Sequence, residues 1–469
     1  MKIKLLGLSL VSTIALVGCG NSNNYNTNLP KGGEVVDLKV EKNRKDLMEN
    51  IQTGVSAMSG ALLSKGISVK SEMMLDGKYI DYRDDVEKET ITVSGLKASA
   101  NLDVKGSLTK LNKKGIEKFK GLEMVTSFSI SGNAEHSDMV KVKTKKEDSS
   151  TETKREKVTT NIKLDKLGAK AELTDGTFYF DLSDGSLLKN GLNNYDSIAK
   201  LAGEYGETPL PSKEDFSKLL DLKEGQTFDQ YVIGEWNKSG YNKLSISVDE
   251  LALLAKDEDE DEDEGNPSPV KLEQLNAEEV EESEEMEESE EEEPKSLIER
   301  IEDVLGMIAS VDGVLEYRVY KNKTSALKIT FDKQKYMVLS EMNEYYDNYG
   351  KLEGFKLAED YAKNYEGLDN FEFAATALMD KEYRFTSFTT VINAKNMSYD
   401  RYLDKENNVT KVEKESYIEI QGKAKVTANY DGMKKTPAKE HKDYVPVMEI
   451  VGGVMKLLDP SSSGTEEVK

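Results

Sequence analysis

From Leu96 to Leu108, Leu96, Ala98, Ala100, Leu102, Val104, Gly106 and Leu108 alternate with Lys97, Ser99, Asn101, Asp103, Lys105 and Ser107. Successive side chains of a strand point to opposite faces, so this pattern describes a strand with one apolar and one wetted side; a helix would mix the two sets around its circumference. Similar alternation recurs at Phe128, Ile130, Gly132 and Ala134, at Val140 and Val142, at Val158, Thr160, Ile162 and Leu164, and at Phe178, Phe180 and Leu182. The short connections make these antiparallel neighbours. Asp76-Gly77 and Asp175-Gly176 are expected to be tight hairpin turns, because Asp and Gly tolerate positive φ. The expectation is a large meander, polar on one face.

A face this long needs cover, and the chain supplies amphipathic helices. Leu47, Ile51, Val55, Met58 and Leu62 recur at three- and four-residue steps between Asn43 and Lys65. Helical patterns return between Tyr195 and Leu222, divided by Pro209 and Pro211, and again at Leu297, Ile301, Val304, Leu305 and Ile308. Strands are then expected at Leu315, Tyr317 and Val319 and at Leu327, Ile329 and Phe331. A last block runs from Tyr383 through Ile392 to Tyr430, with a turn at Asn407-Asn408 and an alternating strand through Ile418, Ile420, Gly422, Ala424, Val426 and Ala428.

The formal charge of −24 suggests a chain that is acidic throughout. It is not, because the stretch from Asp257 to Pro294 holds 21 acidic residues against the single base Lys271, which leaves the remainder near balance. Such a tract repels itself and has little apolar surface to bury, so it is expected to be a disordered insert. Strict Asp/Glu alternation at 257–264 lacks the glycine turn and closing glutamate of an EF-hand loop. Its density of carboxylates suits cations or a basic partner and disfavours nucleic acid. The mixed-charge stretch from Lys141 to Lys157 is expected to be a solvent-facing hairpin whose charges blunt a sheet edge.

The first residues carry an address. Lys2 and Lys4 precede an apolar run from Leu5 to Val17, and Leu16-Val17-Gly18-Cys19 ends it immediately before the polar Asn21-Ser22-Asn23-Asn24. The run is too short for a membrane span, which takes about 20 apolar residues, and has the layout of a secretory signal. It resembles the lipobox of bacterial lipoproteins. That resemblance implies cleavage before Cys19 and acylation of its thiol by diacylglycerol or palmitate-type chains. Two acyl chains bind stably where one binds marginally. Cys19 is the only cysteine, so its use as an anchor leaves no disulfide or thiolate site.

Lipid anchor, tether, long amphipathic helix, successive antiparallel strands and the turn-strand segment from Leu173 to Leu182 together resemble the LolA-like and LppX-like lipoproteins. The resemblance implies a strongly curved sheet, a half-barrel closed by helices over an apolar cavity for lipid chains. The fold class is therefore expected to be α+β: a large curved antiparallel sheet, or sheets, covered by amphipathic helices, with a disordered acidic insert. Its expected divisions are a signal peptide at 1–18, the lipidated cysteine and a flexible tether at 19–42, and an N-terminal lobe at 43–255. A linker at 256–295, a C-terminal lobe at 296–458 and a tail at 459–469 follow, the lobes either separate or sharing one sheet.

Chemistry is harder to find. His136 and His441 are the only histidines and stand far apart in the chain, which argues against His-based metal sites and Ser-His or Cys-His mechanisms; each is expected at a surface or turn. There is no phosphate-binding Gly-rich loop, no G-x-S-x-G elbow and no H-E-x-x-H. No cofactor is expected, and no spacing singles out a carboxylate pair for hydrolysis. Tyr345, Tyr346, Tyr349, Phe355, Tyr361 and Tyr365 are expected to pack a helix onto its neighbours, and Trp236 to lie at a core edge.

The function expected is non-enzymatic binding on the extracytoplasmic face of a membrane, in a host with one membrane or two. The ligand would be lipid or another apolar molecule, with Phe128, Ile130, Phe178 and Phe180 as candidate contacts. The alternative is a surface lipoprotein contacting envelope polymers, cations or a protein partner through loops and the acidic tract.

Overall fold

The computed structural model describes residues 25–83, 86–106, 120–145, 151–205, 211–220, 222–251, 297–403 and 409–449. Before the acidic tract the elements are β1 (Glu34–Val36), α1 (Glu41–Ser64), β2 (Ile67–Arg83), β3 (Val86–Gly106), β4 (Leu122–Lys145), β5 (Thr151–Thr174) and β6 (Thr177–Asp181). They continue with α2 (Ser186–Tyr205), α3 (Lys213–Leu219), α4 (Phe228–Ser239) and β7 (Lys243–Ser247). After the tract come α5 (Leu297–Ser310), β8 (Leu315–Val319), β9 (Ser325–Asp332), α6 (Lys333–Tyr349), a 3-10 turn at Tyr361–Tyr365, β10 (Leu368–Met379), β11 (Phe385–Leu403), β12 (Val409–Asn429) and β13 (Val445–Pro446). The class is α+β. Cys19, the acidic insert, the turn at Asn407-Asn408 and the tail lie outside the described residues.

The thirteen strands among the described residues belong to one sheet, ordered β1-β8-β9-β10-β11-β12-β2-β3-β4-β5-β6-β7-β13. Two meanders, one on each side of the acidic tract, meet at a seam where β12 pairs antiparallel with β2 from Ser416↔Asp81 to Asn429↔Ser68. The first and last of these strands cross over to the opposite half. β1 pairs with β8 of the later half, and β13 pairs with β7 of the earlier half in the one parallel contact of the sheet. Each half thus has its outermost strand paired with chain from the other half, whereas β5 runs well beyond the five residues that β6 covers.

Two local expectations change. Asp76-Gly77 is not a turn: both residues lie inside β2, opposite Gln421 and Ile420 of β12. The Asp76 carboxylate accepts the Gly95 N–H at 2.5 Å, across a register shift between β2 and β3. A bulge has taken the Asp-Gly chemistry that a hairpin turn would otherwise use. Asp175-Gly176 does form the turn from β5 to β6, with φ of 48° and 74°. The tether expected over 19–42 is also partly structured. The Thr27 carbonyl accepts from Thr376 at 2.7 Å, Pro30 from the Tyr320 hydroxyl at 3.0 Å and Gly32 from Arg318 at 3.2 Å before β1 joins the sheet. Backbone acceptors that periodicity cannot see hold this segment in place.

Helix α1 packs against β3 and α5 and buries Leu47 with Ala309 of α5, Tyr317 of β8, Met379 of β10 and Leu38. Burying a leucine of this kind contributes about 2 kcal/mol. Gly54 is required there, because a Cβ would lie 2.1 Å from the Tyr383 carbonyl oxygen. Helix α2 begins at Ser186, ahead of the expected Tyr195, and lies along β5 beyond the end of β6. Its Ser186, Asn190 and Asn194, spaced four apart on one face, each exchange hydrogen bonds with backbone of β5 at Gly168, Asp165 and Lys163 respectively. Asparagine and glycine weaken the helical signal of this segment, yet the asparagines supply the missing partner for an open strand.

Candidate ligand-binding face

Strand register separates two faces. Across β11, β12, β2 and β3, one polar row runs Thr389, Lys425, Glu72, Ser99, and another runs Val391, Lys423, Met74, Lys97. On the opposite face, Ala100 of β3 pairs with Phe128 of β4, which pairs with Ala169 of β5; Ala98, Ile130 and Leu167 form the adjacent row. Ala171 then pairs with Phe180, which pairs with Leu244, while Leu173 pairs with Phe178, which pairs with Ile246. Phe128, Ile130, Phe178 and Phe180 therefore share the apolar face, as period two requires.

Their surroundings differ. Phe178 and Phe180 stack at 6.3 Å with planes 13° apart, beside Leu173, which is only 1% exposed. Phe128 is 46% exposed, over a floor made small by its alanine neighbours. Farther along the same face, Ile418, Tyr79, Ile91 and His136 align across four adjacent strands, with Ile418 36% and Ile91 39% exposed. The apolar face is packed near its ends and open to solvent between them among the described residues.

Packing near α6 accounts for most of the tyrosine group. Tyr336 stacks on Phe371 at 4.2 Å, and Phe331 on Phe373 at 4.9 Å. Tyr345 contacts Tyr349 and Phe355, and the Tyr346 hydroxyl donates to Asp303 of α5 at 2.6 Å. Burial pushes the Tyr365 phenol up to about 12. Trp236 is half-buried on α4, and its indole N–H has no acceptor among the described residues. The backbone of the lysine-rich stretch pairs from Met139↔Lys157 to Lys145↔Thr151, as two arms of a hairpin.

The polar face carries straps from the first and the last described segments. Residues 26–31 cross β10 to β12 and, with Thr376, Ser387, Thr389 and Lys425, line a cleft of about 480 Å³. Residues 431–446 cross β2 to β7. There the Lys434 N–H donates to Asp103 at 2.7 Å, the Ala438 N–H to Glu172 at 2.6 Å, and the His441 ring lies parallel to Tyr179 at 3.7 Å. His441 Nε2 is 3.0 Å from Glu172, and its side chain is only 8% exposed. It is a clasp rather than the expected surface residue; its polar neighbours Lys439, Glu440 and Lys442 in the sequence conceal a contact with a strand far away in the chain. His136 pairs with Glu89 at 2.8 Å on the apolar face. No group of three His, Cys, Asp or Glu among the described residues is arranged to hold a metal, and no described helix is long and apolar enough to cross a membrane.

No protein-family model matches the chain, and no characterised protein matches it in sequence. Among solved structures, a Pseudomonas aeruginosa FadL homologue is similar at 8% identity over 80% of this chain and 92% of that one, with a TM-score of 0.11. A score that low carries no argument about fold or function.

Proposed function

We propose that this is a lipid-anchored, extracytoplasmic binding protein without enzymatic activity, holding an apolar ligand such as a lipid chain on the apolar face of its sheet. In this reading the sheet is curved and the helices close it from the ends, as in the half-barrel lipoproteins that the sequence resembles. One observation carries the proposal: Phe128 stands 46% exposed between alanines on a face shared with Ile91 and Ile418. Exposed apolar side chains along one face of a sheet suit a surface that binds apolar molecules. Cys19 supplies the anchor and the membrane is its partner.

Native mass spectrometry of the form starting after Cys19, purified without detergent, tests this directly. A co-purifying apolar species released on denaturation, with acyl-probe uptake lowered by Phe128→Asp at unchanged circular dichroism, is expected. A clean mass with no uptake of offered lipids overturns the carrier reading and turns attention to a scaffold that contacts protein or polymer partners.

A further inference from the structure

The N-terminal strap lies on the polar side of the sheet. Asn26 already lines the cleft on the polar face with Ser387, Thr389 and Lys425, and Thr27 is bonded to Thr376 of β10. Seven residue steps separate Cys19 from Asn26. A fully extended chain spans at most 3.6 Å per residue, so the acylated residue lies within about 25 Å of that cleft. The strands are much longer than this leash: β4, with 24 residues, extends about 80 Å.

We infer that the polar face of the sheet at β10, β11, β12 and β2 lies against the headgroups of the anchoring membrane, and that the apolar face with Phe128 and Ile91 is turned away from it. The inference rests on the lipoprotein reading of Cys19. Charge supports the choice of partner. Lys423 and Lys97 flank Met74 across three strands, and Lys425 stands beside them. Among the described residues no ion pair engages these three lysines, whereas Lys70 and Glu72 neutralise each other. A chain of strongly negative net charge thus presents free cations within reach of its anchor, which suits anionic phospholipid. A ligand for the apolar face would arrive from the side away from the anchoring leaflet.

The test uses the full acylated chain in vesicles of phosphatidylcholine with phosphatidylglycerol. Because Cys19 is the only cysteine and is consumed by its lipid, Gln421→Cys, Lys423→Cys and Ile91→Cys each give one labelling site. Quenching of the attached fluorophore by headgroup-labelled lipid is expected to be several-fold stronger at 421 and 423 than at 91. A Gly/Ser spacer of about 40 residues placed after Gly20, with a mean span of about 35 Å, should erase that difference. Equal quenching at the three sites, or stronger quenching at 91, overturns the orientation. Absence of an acyl mass on Cys19 overturns the lipoprotein reading and this inference with it, so the two failures are told apart by mass spectrometry before any fluorescence is read.

Discussion

Asn194 pairs with Lys163 as a neighbouring strand would: its Oδ1 accepts the Lys163 N–H at 2.7 Å and its Nδ2 donates to the Lys163 carbonyl at 2.7 Å. Asn190 repeats the exchange with Asp165 at 2.6 and 3.1 Å. One turn of helix advances 5.4 Å and two strand residues advance about 6.6 Å, close enough for successive asparagines to meet successive outward-facing peptide groups. The helix closes an edge that β6 is too short to reach.

Asn194→Ala should therefore cost about 2 kcal/mol, since two bonds are lost and both Lys163 backbone groups lose their partner. Asn194→Asp keeps the acceptor but places a carboxylate against the Lys163 carbonyl, and should be no better. Urea denaturation curves check both; a loss near zero for the alanine variant would mean that water replaces the amide without penalty.

Gly54→Ala should destabilise by about 1–3 kcal/mol, the usual range for forced overpacking, because the new methyl meets the Tyr383 carbonyl at 2.1 Å. Gly60→Ala on the same helix, with open space around its Cβ, should be neutral or slightly stabilising. Thermal melts of the two variants side by side separate the clash from any general effect on helix propensity.

The C-terminal strap should loosen in His441→Ala, which removes both the stack on Tyr179 and the bond to Glu172. Limited proteolysis is expected to cut the variant between 431 and 446 several times faster than the parent, with β-sheet circular dichroism retained. Tyr179→Leu should give the same cleavage pattern, and an unchanged rate in both would show that Lys434 and Ala438 hold the strap alone.

Alkaline stability should track Tyr430. Burial raises its phenol from an ordinary value of 10.0 to about 12, and its hydroxyl donates to the Phe385 carbonyl at 2.6 Å. The folded state thus holds the proton where the unfolded chain has released it. This contribution is complete below pH 10 and is lost as pH rises from 10 towards 12. Tyr430→Phe should flatten the stability profile in that window, as read by denaturant midpoints across pH, while tyrosinate absorbance of the parent should show late-titrating phenols.

Strands were legible where alternation was long, as in β3 from Leu96 onward and in β12 from Ile418 to Ala428, because one wetted face and one dry face demand period two. Asp175-Gly176 was legible because its φ values are local. Asp76-Gly77 misled because a dipeptide that favours a turn also suits a strand facing a bulge, and only the partner strand decides. The start of helix α2 is hidden in the sequence because asparagine is a poor helix former and its use lies in β5. The clasp at His441 is invisible in the sequence because its polar neighbours reveal nothing of Tyr179. Of the candidate ligand contacts, the shared face of Phe128, Ile130, Phe178 and Phe180 followed from parity, whereas their unequal exposure did not.

The sequence by itself determined the alternating strands, the amphipathic helices, the concentration of charge between Asp257 and Pro294 and the short apolar run that ends at Cys19, since each depends on residues adjacent or one turn apart. Tertiary structure alone decided that β12 joins β2 into a single sheet, that β1 and β13 cross to opposite halves, and that residues 26–31 and 431–446 lie over the polar face. Those pairings are made through backbone groups that every residue carries. Nothing in the side-chain pattern distinguishes one remote partner from another until the chain has closed on itself.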